Sequence, residues 1–337
     1  MRLPRFDYLG PDTLEDTLDL LAFHRDDAKI LAGGTDLLVR MKKGLLKPKV
    51  LISLKALKDL SYIHEEDGCI KIGAKTSIAD ITASDLIQKE ACALSQACEK
   101  IGAITMQHYR GTIGGNILQD NRCHHYNQSD FHRSGRQPCH KDGGKICYAR
   151  DDSDRCNSTC QSDGATALMA LGAEITLARK GGERAVDLSN FYTTDGIMVF
   201  AMESHELLKE IIIPLKGAKS VYKRLAWRSA IDYPVVCAGV SITTLDSEKD
   251  KIEDVRIVVG AMSRSPLFLS QESSSLKGKS LNDMDAFKKA AASSMNSAST
   301  FAVHNAGATL EYRCEMVSEM VFQALKEAAD KAIDAKG

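Results

Sequence analysis

Five of the ten cysteines, Cys123, Cys139, Cys147, Cys156 and Cys160, fall within one polar stretch. The first four, spaced C-x15-C-x7-C-x8-C, could offer four thiolates to zinc or to an iron-sulfur cluster. Structural zinc sites usually pair their cysteines as C-x2-C knuckles, and none occurs here, so spacing alone leaves the metal open. His124, His125, His132 and His140 lie close by as substitute ligands or as plain solvated side chains. The other cysteines, Cys69, Cys92, Cys98, Cys237 and Cys314, are scattered through periodic segments and read as small buried hydrophobes.

A second group of residues suits a nucleotide. In Ala32-Gly33-Gly34-Thr35-Asp36-Leu37 a strand turns straight into a helix, and glycine lets the backbone approach a ligand. Thr112-Ile113-Gly114-Gly115-Asn116 repeats the design and adds a hydroxyl and an amide. Each turn alone could be an ordinary tight turn; together they could clamp one dinucleotide from both sides. Neither has the glycine spacing of the nicotinamide fingerprint, which disfavours a doubly wound dinucleotide fold.

The elements that must position these residues follow from periodicity. Asp12 or Thr13 can cap a helix carrying Leu14, Leu18 and Leu21, followed by a strand at 29–32. Thr35-Asp36 can cap a helix over 37–41, and 50–52 reads as the next strand. A strand from Cys69, helical stretches at 78–87 and 91–101, a helix at 165–171 and strands at 174–177 and 210–213 come next. Gly217-Ala218-Lys219 is a plausible linker to a last unit with strands at 235–243 and 255–259 and a long helix from about 309 to 335. Between Asp120 and Asp163 the pattern breaks down, and so long a structureless loop needs something else to organise it.

Composition narrows the function class. The chain has 337 residues, 44% hydrophobic and 26% charged, enough for two or three domains. With 44 Lys and Arg against 45 Asp and Glu, no broad basic surface is expected to hold nucleic acid or an anionic membrane. No leader or membrane span is expected, so the protein should be cytoplasmic with its thiols reduced. Hydrolase triads, paired catalytic carboxylates and nucleophile elbows are not found; Asp151-Asp152 and Glu65-Glu66 read as solvated charges.

These segments, in order, resemble the flavin-binding medium subunit of the molybdenum hydroxylases, the group that includes xanthine and carbon monoxide dehydrogenases. The likeness runs over nearly the whole chain. It rests on the segments from Ala32 to Leu38 and from Gly111 to Ile117, on Ser162-Asp163 ahead of 167–173, on 256–260 and on Glu311-Tyr312-Arg313. The stretch between Asn116 and Asp163 resembles one branch, the β subunits of 4-hydroxybenzoyl-CoA reductase, through 118–123, 126–129 and Asp154-Arg155-Cys156.

The resemblance implies an α+β protein. It has an FAD-binding fold of the PCMH/vanillyl-alcohol oxidase type in two α/β subdomains, 1–56 and 57–216, with an iron-sulfur insert at about 118–161, then a C-terminal α+β domain of the CO dehydrogenase flavoprotein type, 217–337. It implies FAD held by Ala32, Gly33, Gly34, Thr35, Asp36, Leu37, Thr112, Gly114, Gly115, Asn116 and Ile211, with Asp163 on the ribityl chain and Lys223 near the flavin ring. A 4Fe-4S cluster on Cys123, Cys139, Cys147 and Cys156 is implied as well, leaving Cys160 a bystander. Partners would be a large molybdenum-cofactor subunit and a small subunit with 2Fe-2S clusters, assembled as a dimer of heterotrimers.

In that branch electrons run inward from a low-potential donor such as ferredoxin, through the 4Fe-4S cluster and FAD, to a molybdenum site that removes a phenolic hydroxyl. One alternative reverses the current, from a partner that hydroxylates a purine or N-heterocycle to NAD or another acceptor. Another is a non-catalytic scaffold stiffened by zinc. The substrate itself is not legible, because the family places its pocket on another chain.

Overall fold

The computed structural model describes residues 2–229, 231–245, 250–304 and 307–335. The outer ends of the expected domain spans, Met1 and Gly337, lie outside them. Three sheets organise the chain in sequence order. The first is parallel, β1 (Asp7–Leu9), β2 (Ala28–Leu31) and β3 (Val50–Ser53), in the order β1-β3-β2. The helix Leu14–His24 makes the parallel crossover; Thr13 caps it by accepting from the Asp16 amide, and Leu21 is buried against Val50, Ile52 and Leu54.

The second sheet joins residues far apart in the chain: β4 (Ile63–Glu66), β5 (Cys69–Gly73), β6 (Glu174–Arg179), β7 (Gly182–Asp187) and β8 (Leu207–Pro214). Its order is β4-β5-β8-β6-β7 and every pairing is antiparallel. Alternation drives it: Ile70, Ile72, Ile175, Leu177, Ile211 and Ile213 all point into one apolar core, where the helices Ile78–Ala83, Asp85–Glu90, Cys92–Glu99 and Asp163–Ala170 cover them. The expected single helix over 78–87 is two, because Ser84 is extended and caps the second through Ile87 N–H.

The third sheet, β9 (Lys219–Leu225), β10 (Val236–Thr244), β11 (Ile252–Gly260) and β12 (Leu267–Phe268), is antiparallel in the order β12-β11-β10-β9. The helices Met284–Ser299 and Leu310–Asp334 cover it. Arg313 on the second is fully buried and donates to the carbonyls of Val235, Val303 and Ala261 at 3.3, 2.5 and 2.7 Å. No ion pair reaches it among the described residues; burial lowers its pKa to about 10 against a small opposing pull from Cys314, and those carbonyls are what keep the cation there.

The stretch 118–161 contains little regular structure: a helix Asp130–Ser134, one 3-10 turn His140–Asp142 and the isolated bridges Arg122–Thr159 and Cys139–Ile146. Side-chain bonds to both neighbouring units replace ladders. Asn121 donates to the carbonyls of Ser158 (3.1 Å) and Arg264 (2.8 Å), and Lys43 donates to that of Asn127 (3.0 Å).

Candidate functional site

The two glycine turns face one cavity of about 540 Å³. Gly33 meets the second turn's approach so closely that a Cβ there would stand 1.6 Å from the Arg110 carbonyl oxygen. Gly34 has φ +74°, in the left-handed region that glycine tolerates. Glycine at 33 lets the first turn seat against the second, and glycine at 34 lets the chain turn from strand into helix. Asp36 is the N-cap of the helix Leu37–Lys42, but its side chain does not cap; its carboxylate pairs with Arg122 of the insert instead.

The second turn is held from within. Thr112 accepts from the Gly115 amide at 3.1 Å, and the Gly114 amide donates to the Ala74 carbonyl at 2.9 Å. Asn116 Oδ1 accepts from Ser162 Oγ (2.7 Å) and the Gly164 amide (3.1 Å), tying the turn to the start of the helix Asp163–Ala170. Gly114 therefore serves close packing against Ala74 while its amide is already used. Ala32, Gly33, Gly34, Thr35, Asp36, Leu37, Thr112, Gly114, Gly115, Asn116 and Asp163 all line the cavity.

Asp163 is buried in the cavity wall, with Oδ1 accepting from the Tyr222 hydroxyl at 2.5 Å and 3.0 Å from Arg224 Nε. Burial pushes its carboxyl up to about 6, against the opposing pull of Arg224 and Tyr222. Tyr222 and Arg224 share one face of β9, two residues apart. Lys223 takes the other face, pairs with Glu327 on the last helix and is not among the residues that line the cavity, as strand alternation requires once Tyr222 and Arg224 face Asp163. Ile211 likewise does not line the cavity. It is fully buried in the second sheet's core, while Leu207 and Leu208 of the same strand reach the cavity.

Several wall residues were not singled out by sequence. Arg228, Ile231, Asp232 and Tyr233, on the connection between β9 and β10, form the far rim, and the Arg122 guanidinium lies 5.3 Å over the Tyr233 ring. The polar turn after β9 was a signal, but nothing local says what it covers. Arg40 and Gln161 also face the cavity, and Arg40 Nε and Gln161 Oε1 are buried without a hydrogen-bond partner among the described residues. Such orphaned groups suit a polar ligand that would complete them.

Of the four candidate cysteines, Cys123, Cys139 and Cys147 share one small apolar cluster. Cys123 packs with Tyr126, Ala149 and Val303, and Cys139 and Cys147 lie against that group. Burial raises the Cys123 thiol, with Cys156 and Cys139 near enough to contribute, and burial likewise raises Cys156 against the pull of Ser158 and Lys141. Among the described residues no group of three or more His, Cys, Asp or Glu stands where it could hold a metal ion. The nearby histidines are occupied elsewhere: His140 Nε2 is 3.0 Å from the Ser153 carbonyl, and His125 packs against Tyr148. Cys160 sits apart in the main core, its thiol pushed up to about 12 by burial. All ten cysteines are free.

No helix among the described residues is long and apolar enough to cross a membrane. Residues 4–216 match the family described as the FAD binding domain in molybdopterin dehydrogenase, and residues 220–328 match the CO dehydrogenase flavoprotein C-terminal domain. The chain is 27% identical over 286 residues to the nicotinate dehydrogenase FAD-subunit of Eubacterium barkeri, covering 82% of this chain and 81% of that one. It is 26% identical over 327 residues to the glyceraldehyde dehydrogenase medium chain of Sulfolobus acidocaldarius, covering 97% and 99%. A structure of reconstituted CO dehydrogenase from Oligotropha carboxidovorans superposes with a TM-score of 0.76 at 26% identity, over 98% of this chain and 99% of that one. The glycine-walled cavity and both family matches lead to one conclusion: the chain belongs to the FAD-binding medium subunits of the molybdenum hydroxylase and CO dehydrogenase family, and is an FAD-containing oxidoreductase subunit.

Proposed function

We propose that this subunit relays electrons between FAD in the glycine-walled cavity and a 4Fe-4S cluster on Cys123, Cys139, Cys147 and Cys156, within a molybdenum enzyme that removes the hydroxyl of 4-hydroxybenzoyl-CoA or a related aromatic compound. The observation that carries it is the placement of the thiol pocket beside the cavity. Arg122, next to Cys123, pairs with Asp36 of the first glycine turn. Against it stands the spacing of the thiols, which in this structure do not form a closed ligand set, so loading must draw them inward. FAD, when bound, supplies two-electron and one-electron chemistry in one group. The chain's own part is to seat it: the two turns approach its phosphates, Arg40 and Gln161 offer unpaired groups, and Asp163 is held toward the cavity by Tyr222 and Arg224.

The proposed units are 1–56, 57–216 with the insert at about 118–161, and 217–337, supported by the membership of the three sheets. The proposed partners are a large molybdenum-cofactor subunit and a small 2Fe-2S subunit in a dimer of heterotrimers, supported by relatives named as medium chains. Ferredoxin or a similar low-potential protein is the proposed donor. A second reading reverses the current, and it is favoured by relatives that carry the name dehydrogenase, for nicotinate, glyceraldehyde and caffeine.

Protein isolated without oxygen tests the first reading. Flavin absorption bands with a broad brown shoulder, and iron counted together with FAD, are expected. Flavin without iron removes the cluster, and a colourless zinc protein sinks the electron-relay role altogether. In the assembled complex, bleaching of the flavin by reduced ferredoxin but not by an N-heterocyclic substrate separates the two directions.

A further inference from the structure

A buried chain of three charges connects the thiol pocket to the cavity. Lys141, from the insert, has a side chain only 6% exposed and donates to Asp120 Oδ1 at 2.7 Å and to the Gly196 carbonyl at 3.0 Å. Its ammonium also lies 5.5 Å from the centre of the Tyr126 ring in the thiol pocket. Asp120 Oδ2 is 3.0 Å from Arg40 Nη2, with side chains 11% and 19% exposed. Arg40 lines the cavity from the helix that follows the first glycine turn, and its Nε has no partner among the described residues. Two cations share one carboxylate, so the chain keeps one net positive charge next to a site built for an anionic nucleotide.

We propose that Lys141 is a positioning residue for the flavin, acting through Asp120 on Arg40 to hold a net positive charge against the flavin's phosphates. This rests on the reading that the phosphates lie against the glycine turns. Without Lys141, Arg40 is the cation left in a direct ion pair with Asp120 among the described residues, with Arg122 within electrostatic reach of the same carboxylate. The carboxylate then neutralises the guanidinium that faces the cavity, and a charge-assisted contact to phosphate weakens. The insert thus tunes a site to which it gives no glycine turn.

The test is FAD titration into the deflavinated full chain, followed by flavin fluorescence, with circular dichroism as a check of folding. Lys141→Met should weaken FAD binding by about tenfold or more, and Lys141→Arg should stay within about threefold of the unsubstituted protein. The deciding variant is Lys141→Met combined with Asp120→Asn, which leaves Arg40 as the one charge of the chain. It should recover affinity to within about threefold of the unsubstituted protein although it carries two lesions. Unchanged binding in Lys141→Met overturns the proposal. A double variant as weak as Lys141→Met, or weaker, overturns it as well, because a packing role predicts additive damage. If the unsubstituted chain binds no FAD, it is the flavin reading that fails, a result distinct from either.

Discussion

The glycine turns and the insert meet at the same cavity but are held by different forces. The turns lie at the ends of regular elements, and their amides and side chains are satisfied within a few residues or by the adjoining segment: Gly115 by Thr112, Gly114 by Ala74, Leu38 by Gly34. The insert has almost no ladder and is fixed by long-range side-chain bonds, Asp36 to Arg122, Arg40 to Asp120, Lys43 to Asn127 and Asn121 to Arg264. Backbone geometry therefore decides the first region, and a handful of charges and amides decides the second. Damage to the turns should act through sterics, and damage to the insert through charge and burial.

The harshest test of that contrast is Gly33→Val. A side chain there meets the Arg110 carbonyl, so the two turns must separate. FAD affinity should fall by about 100-fold or more and stability by about 3 kcal/mol, read by fluorescence titration and urea denaturation. A Gly33→Val protein that binds FAD normally would show that the turns need not touch.

Replacing Cys123 and Cys156 together by Ser should come next. Iron content should drop to background while FAD stays within about threefold of stoichiometric, because neither side chain lines the cavity. Simultaneous loss of FAD would mean that the insert cannot be separated from the cleft even by a near-isosteric change.

Asp163→Asn probes a buried charge inside the regular region. Its carboxyl is raised from the model-compound range to about 6, so the native state holds this proton more tightly than the unfolded chain. Stability from that site is full at pH values below the unfolded pKa near 4, falls as pH rises towards 6 and is flat beyond. The difference between variant and unsubstituted protein should therefore move in the variant's favour by about 3 kcal/mol between pH 4 and pH 7, in urea denaturation of the flavin-free protein. A difference independent of pH would mean that Asp163 titrates as an ordinary exposed carboxyl.

The mildest change is Lys223→Gln. Its pair with Glu327 is part-exposed, so less than about 1 kcal/mol should be lost and the flavin spectrum should not shift. A spectral shift would restore Lys223 to the flavin's surroundings.

Much of the cleft was legible because its signals are local. Gly33-Gly34 and Gly114-Gly115 stand between elements whose periods of two and 3.6 residues are plain in the sequence, and Thr112 and Ser162 are ordinary helix caps. Lys223 stands one step of strand alternation from the cavity wall: its neighbours Tyr222 and Arg224 face Asp163, and which face of β9 met the cavity could not be read from an isolated strand. Ile211 alternates with part-exposed neighbours and faces the second sheet's core, and that alternation could not say which end of β8 meets the cavity, where Leu207 and Leu208 stand. β4 and β7 were not anticipated; their mostly exposed residues lack an apolar repeat, and they exist because β5 and β6 offer edges to pair with.

By itself the amino-acid sequence determined the places of glycine, the caps, the order of the main apolar elements and the clustering of four cysteines, all properties of residues close in the chain. Tertiary structure alone decided that Arg122 reaches Asp36, that Lys141 and Arg40 share Asp120, that Arg313 is buried among three carbonyls and that Tyr233 closes the rim. Those contacts join residues tens to more than a hundred positions apart. Nothing in local propensity encodes such pairs; the packing of three sheets brings them together, and low local dielectric makes the partners it selects matter.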